Sequence, residues 1–236
     1  MANRESSVLM IHGAGGGGWE WNVWRRVFEA QDHEVLAPDL VPVSAGLEAT
    51  RLDDYRRQLL SALDGRKAAV LVGASLGGLL ALSIASEIPA RALVLVNPMP
   101  PAPFHDQSPD REPYPPIIPW RSEASIASTR RAMPDADDAA RLYAFRRWRD
   151  ESGDVLNAAR AGIEVAQPAC PVQVQVSLED KDVPAEVSLA LAKRLEADVV
   201  RLPDSSHVGP LLGRQAARCA GLAVAWLNAL PSRSPG

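Results

Sequence analysis

Short, mainly apolar runs alternate with amphipathic stretches over the first hundred positions of the chain. Val8–Ile11, Glu34–Ala37, Ala68–Val72 and Ala92–Val96 have strand length and little polar alternation, the pattern of strands buried on both faces of a sheet. Between them the spacing turns helical. Val23, Val27 and Phe28 share one face, Leu52, Tyr55, Leu59 and Leu63 share another, and Leu79–Ile84 is almost wholly apolar. Strand and helix in alternation predict an α/β fold with a mostly parallel, doubly wound sheet and right-handed crossovers. The alternation resumes after Pro168: Val172–Ser177 reads as strand, Ala185–Glu196 as helix, Val199–Leu202 as strand and Arg214–Ala229 as a closing helix. The tail PSRSPG is expected to fray.

The stretch between breaks the rhythm. Residues 98–119 read PMPPAPFHDQSPDREPYPPIIP, and prolines at that density exclude a central strand or a helix interior, because each lacks a donor and fixes φ. Residues 121–166 return to helical, charge-mixed sequence. The expected organisation is therefore an α/β core of residues 1–97 and 168–236, interrupted by a mainly helical cap of residues 98–167. An insertion at the carboxyl end of a strand covers the place where open α/β sheets bind ligands.

Composition narrows the function classes. The chain has 236 residues, 47% hydrophobic and 23% charged, with a formal net charge of −4. That is enough for one large core, and it offers no electrostatic basis for nucleic acid or an anionic membrane. Cys170 and Cys219 lack a C-x-x-C pattern and a nearby histidine pair, so they read as reduced thiols rather than a disulfide framework or zinc site. Neither a signal-peptide pattern nor an apolar stretch of membrane-spanning length is present, and a cytoplasmic location is expected.

The sharpest chemical signal is Gly73-Ala74-Ser75-Leu76-Gly77 in VLVGASLGGLLAL. This G-x-S-x-G follows a buried strand and opens an apolar helix, the context of a nucleophile elbow. The helix N-terminus beneath Ser75 would aim the Leu76 amide at an anion bound there. A serine needs a base, and the base needs an orienting acid. Of four histidines, His207 alone follows a late strand through a short polar loop, in LPDSSHVGPLL; His33 precedes a strand and His105 lies among the prolines. For the acid, VQVSLEDKDVP offers Glu179, Asp180 and Asp182. Asp180 stands four residues before Pro184 and is the first choice, with Asp182 and Glu179 as alternatives.

With these motifs the chain resembles the α/β-hydrolase superfamily over residues 6–97 and 168–230. Its segment HGAGGGGWEWNVWRRVFEAQDHEVLAPDL is similar to the plant methyl-ester esterase and hydroxynitrile lyase branch, with the His-Gly start, the W-x-W pair and the H-x-V-x-A-x-D-L run. The resemblance implies an oxyanion hole formed by the amides of Ala14 and Leu76, with His12 bracing the loop. The cyanogenic lyases carry Thr where this chain has Gly13 and Lys where it has Val208, which favours hydrolysis over cyanide release. The glycine usual before the catalytic histidine is Ser206 here, which calls for a negative φ.

Gly13, Gly15 and Gly18 also spell the dinucleotide fingerprint G-x-G-x-x-G, with Asp39 placed as a ribose-binding acid. Four consecutive glycines satisfy that pattern almost automatically, however, and the hydrolase reading also uses His12 and Ala14. The expectation is thus a serine esterase working through Ser75, His207 and Asp180 on a small or medium carboxylic ester, lactone or thioester. It would need no cofactor or metal and act as a monomer or homodimer. Trp19, Trp21, Trp120, Tyr143, Phe145 and Trp148 are candidate pocket walls, with plain packing as the other reading of each. The arginines at 130, 131, 146, 147 and 149 read as a solvated face, with recognition of an acidic substrate as the alternative. Other readings are a ligand-binding protein, or a lyase or cyclase, on the same scaffold.

Overall fold

The computed structural model describes residues 7–66, 69–107 and 112–231. The expected tail and the first residue of the third predicted strand, Ala68, fall partly or wholly outside them. In chain order the elements begin β1 (Ser7–Ile11), α1 (Asn22–Glu29), β2 (Glu34–Leu36), α2 (Leu52–Leu63), β3 (Val70–Ala74), α3 (Leu76–Ala85) and β4 (Ala92–Val96). Next come β5 (Ile117–Ile118), α4 (Trp120–Glu123), α5 (Ile126–Ala132), α6 (Asp138–Phe145), β6 (Glu151–Ser152) and α7 (Gly153–Arg160). The chain closes with β7 (Val172–Ser177), α8 (Ala185–Arg194), β8 (Asp198–Leu202), α9 (Gly209–Leu212) and α10 (Ala216–Ala229).

Six strands form one sheet in the order β2-β1-β3-β4-β7-β8, every neighbouring pair parallel. Successive side chains of a strand point to opposite faces, so each apolar run feeds two cores. Leu9, Ile11, Leu71, Leu93, Leu95 and Val174 pack with α2, α3, α7 and α8 on one face. Val8, Met10, Val70, Val72, Val94 and Val96 pack with Trp24 and Phe28 of α1 and with Ala220, Ala223 and Leu227 of α10 on the other. The unbroken hydrophobicity of these strands is the direct consequence of being covered twice.

The strand order reverses at β1. The chain goes outward from β1 to β2, then returns to place β3 on the other side of β1. Crossovers leave in opposite directions there, opening a crevice beyond the carboxyl ends of β1 and β3. The glycine loop follows β1, and Ser75 follows β3.

Residues 98–167 all lie between β4 and its sheet neighbour β7. They are mainly short helices, as the sequence predicts, with one addition: β5 and β6 form a two-stranded antiparallel ladder pairing Ile117 with Ser152 and Ile118 with Glu151. A ladder this short tolerates the flanking prolines because it has no interior strand. No helix of the described residues is long and apolar enough to cross a membrane.

The turn from β3 into α3 leaves no room for a side chain at positions 73 and 77. A Cβ on Gly73 would overlap the carbonyl of Gly77, and one on Gly77 would overlap the carbonyl of Ile11. Gly77→Ala is expected to lose about 2–3 kcal/mol of stability through backbone displacement. A fall in the urea unfolding midpoint with unchanged slope would register it.

Candidate active site

Ser75 is the single residue between β3 and α3, and its backbone takes φ 52° and ψ −121°. Such a conformation costs a non-glycine residue about 1–3 kcal/mol and persists only where the surroundings enforce it. Here they do. The Ser75 amide donates to the Val96 carbonyl at 3.1 Å, and its carbonyl accepts from Gly78 at 2.9 Å and Met99 at 3.0 Å. The Leu76 side chain is buried, but its amide is the first of α3, where no intrahelical acceptor exists.

His207 lies in the loop between β8 and α9, and its Nδ1 stands 2.7 Å from Asp180 Oδ2. Of the three acids the sequence offers, Asp180 is the one beside the ring; Glu179 and Asp182 are exposed. Asp180 Oδ1 is fixed by the amides of Asp182 at 2.8 Å and Val183 at 3.0 Å. Its carboxylate is therefore held at both ends, which settles Nδ1 as the protonated ring nitrogen and leaves Nε2 as the basic one. Ligand atoms of Asp180, Asp182 and His207 lie within 4.8 Å of one another, but Nδ1 is already committed to Asp180. Burial lowers the pKa of His207, but the hydrogen bond and charge of Asp180, helped by Asp182, outweigh it and hold the pKa above the ordinary histidine value.

Two residues that sequence reasoning did not single out hold this loop. Asn97, 1% exposed and at φ 44°, donates Nδ2 to the His207 carbonyl at 2.7 Å and to Ser177 Oγ at 2.9 Å. Its Oδ1 accepts from the Ser177 amide at 2.8 Å, so one side chain ties the ends of β4 and β7 to the histidine. Asp135, from the segment between β4 and β7, accepts from the Ser206 amide at 2.8 Å and from Ser206 Oγ at 2.6 Å. Ser206 avoids positive φ, and its hydroxyl has a specific partner. Asp135 is remote in sequence and sits in a run of ordinary acidic residues, which left no local signal.

The glycine loop is held from all sides. Gly13 N donates to Glu20 at 3.2 Å, Gly15 N to Glu151 at 3.0 Å and Gly18 N to Asp39 at 2.7 Å. The Gly15 carbonyl accepts from Arg149 N at 2.9 Å and the Gly16 carbonyl from Arg149 Nε at 2.6 Å. Asp39 thus turns back on the loop rather than outward toward a ribose, and the amides of the three fingerprint glycines, Gly13, Gly15 and Gly18, are occupied. Ala14 N makes no hydrogen bond to the described residues. Arg149, expected on a solvated face, is instead a clamp on this loop. His12 braces it from below: Nε2 accepts from Leu40 N at 2.9 Å, and Nδ1 donates to the Gly13 carbonyl at 2.7 Å.

Ser75, His207, Gly13 and Ala14 open on one cavity of about 930 Å³. Of the candidate aromatic walls, Trp120 and Trp148 line it. Trp21 lies wholly in the core, and Trp19 packs edge-on against Tyr143 and Trp148.

Burial, with Arg149 adding to it, lowers the pKa of His12 to about 4 from 6.5. The folded protein keeps this ring neutral while the unfolded chain protonates it below pH 6.5, so stability present above that pH is lost as pH falls toward 4. The contribution amounts to about 3 kcal/mol. Urea melts of wild type and His12→Gln should converge across that window, and parallel curves would refute it.

The Alpha/beta hydrolase family model matches residues 8–222. Methylesterase 3 of Arabidopsis thaliana is 36% identical over 86 residues, 32% of this chain and 32% of its own length. Norfluorocurarine synthase 1 of Strychnos nux-vomica is 33% identical over 86 residues, 33% of this chain and 32% of its own length. The chain matches about a third of the length of these curated relatives. The crystal structure of polyneuridine aldehyde esterase shares the fold, with a TM-score of 0.70 at 19% identity over 93% of this chain and 99% of that one. A six-stranded parallel sheet, an elbow serine at its switch point and a family match across most of the length converge: the chain belongs to the alpha/beta hydrolase family.

Proposed function

We propose that this protein is a serine hydrolase that cleaves an uncharged, small to medium carboxylic ester, or a lactone or thioester, through an acyl-enzyme. The observation that carries the reading is the meeting of Ser75, in its positive-φ turn, with the Asp180–His207 pair on one cavity. The methylesterase relative supports it at the level of reaction class.

In this mechanism His207 Nε2 accepts the Ser75 proton as Oγ attacks the acyl carbon. Asp180 holds the ring in the right tautomer and steadies the imidazolium. The amides of Ala14 and Leu76 receive the oxyanion, each such donor contributing about 3 kcal/mol in the transition state. The alcohol leaves with the proton from His207, and water, deprotonated by the same ring, releases the acid. No metal or cofactor takes part. Residues 98–167 act as the cap: Trp120, Trp148 and Leu156 from this segment wall the cavity, and Glu123 and Asp182 outnumber Arg160 on its lining, which disfavours anionic substrates. The absence of an ammonium after His207, where Val208 stands, supports hydrolysis over cyanide release. A relative named as a synthase keeps a lyase or cyclase reaction of the same dyad as the second reading.

Turnover of p-nitrophenyl acetate should fall by about 10⁴-fold or more in Ser75→Ala, and a fluorophosphonate should label wild type at Ser75 alone. Because base catalysis needs neutral His207, kcat/KM should rise with pH through a midpoint above 6.5, its ordinary value. Equal inertness of both proteins, together with tight binding of a ligand, would identify a binding protein instead. Product analysis that finds no acid and alcohol would favour the lyase or cyclase.

A further inference from the structure

Glu20 is the group in this cavity that the mechanism leaves unused. It sits in the 3₁₀ turn Gly18–Trp21, is 4% exposed, and lines the same cavity as Ser75 and His207. A glutamate this buried ordinarily has an ion-pair partner. Among the described residues no Lys, Arg or His forms a salt bridge with it; its one hydrogen bond is from the Gly13 amide to Oε2. The second oxygen, Oε1, has no partner among the described residues, and the residual exposure of the side chain is to the cavity. Gly16 makes the arrangement possible, since a Cβ there would overlap the Glu20 carboxyl.

A buried carboxylate with one neutral donor costs far more than a carboxylic acid in the same place. The charged groups around it do not reverse that balance. The Arg149 guanidinium is engaged with Gly16 and His12, and His12 is held neutral by burial. Burial accordingly raises the pKa of Glu20 to about 8, against the weaker opposing pull of Gly13, Arg149 and His207.

We propose that Glu20 is a hydrogen-bond donor to the substrate: Oε2 holds the Gly13 amide while Oε1–H binds an acceptor oxygen on the carbon next to the scissile carbonyl. The placement follows from the loop. Glu20 holds the amide of Gly13, the residue before Ala14, and both Glu20 and Ala14 line the cavity, so its carboxyl sits beside the amide assigned to the oxyanion. The favoured class is then a neutral ester with an ether or hydroxyl oxygen at its 2-position. This rests on the esterase reading for the orientation of the ester.

The test uses Ser75→Ala protein, in which binding is read without turnover. By NMR titration it should bind methyl methoxyacetate about tenfold more tightly than methyl butanoate. Adding Glu20→Leu should abolish the preference; adding Glu20→Gln, whose amide still donates and whose carbonyl still accepts from Gly13, should restore most of it. The preference should also decline as pH rises past about 8 in the Ser75→Ala protein and stay level in the double variant with Gln. Equal affinity for the two esters, or a preference unmoved by Glu20→Leu, overturns the proposal. A preference that behaves as expected while wild type neither hydrolyses esters nor takes up a fluorophosphonate upholds Glu20 and rejects the hydrolase reading alone.

Discussion

The site depends on one strained residue. Ser75 stands at positive φ between a fully buried strand and a helix buried at all positions but Ser83, and that turn determines where everything else must go. It forces glycine at 73 and 77, because the backbone of α3 and the carbonyl of Ile11 come too close for a Cβ. It also needs β4, whose Val96 carbonyl takes the Ser75 amide. The 1–3 kcal/mol of local strain is offset by two apolar cores that enclose β3 from both faces. A serine so held has little freedom, so its partners must be brought to it.

That delivery is the work of segments far apart in the chain. Asn97 and Asp135 hold the His207 loop from two directions, one from the end of β4 and the other from the segment between β4 and β7. Arg149 and Glu151 from that same segment grip the glycine loop, and Tyr55 of α2 in turn donates to Glu151 at 2.7 Å. The β5–β6 ladder places Glu151 where it does this. The segment after β4 therefore shapes the loop that carries Ala14 as well as walling the cavity.

Charge in the site is arranged by burial as much as by pairing. His207 shares its proton with a buried aspartate and keeps an elevated pKa. His12, at the foot of the glycine loop, is buried with no acid hydrogen-bonded to it and is held neutral. Two histidines of one protein thus take opposite shifts because one faces a carboxylate and the other faces an amide, a carbonyl and a guanidinium.

The α/β class, the strand and helix order, and the identities of Ser75, His207 and Asp180 as candidates were legible in the sequence. Each rests on local or periodic constraints: strands covered on two faces are apolar throughout, and a tight elbow admits only glycine two positions before and after its serine. The sequence left Glu179, Asp180 and Asp182 open, because a loop of acids has no period; the fold placed Asp180 against the imidazole. It also left unread the roles of Glu20, Asn97, Asp135, Arg149 and Glu151, and it assigned Arg149 to solvent. These residues act through contacts with partners up to a hundred and more positions away, and a polar side chain's partner is decided by which loops the packed sheet brings together.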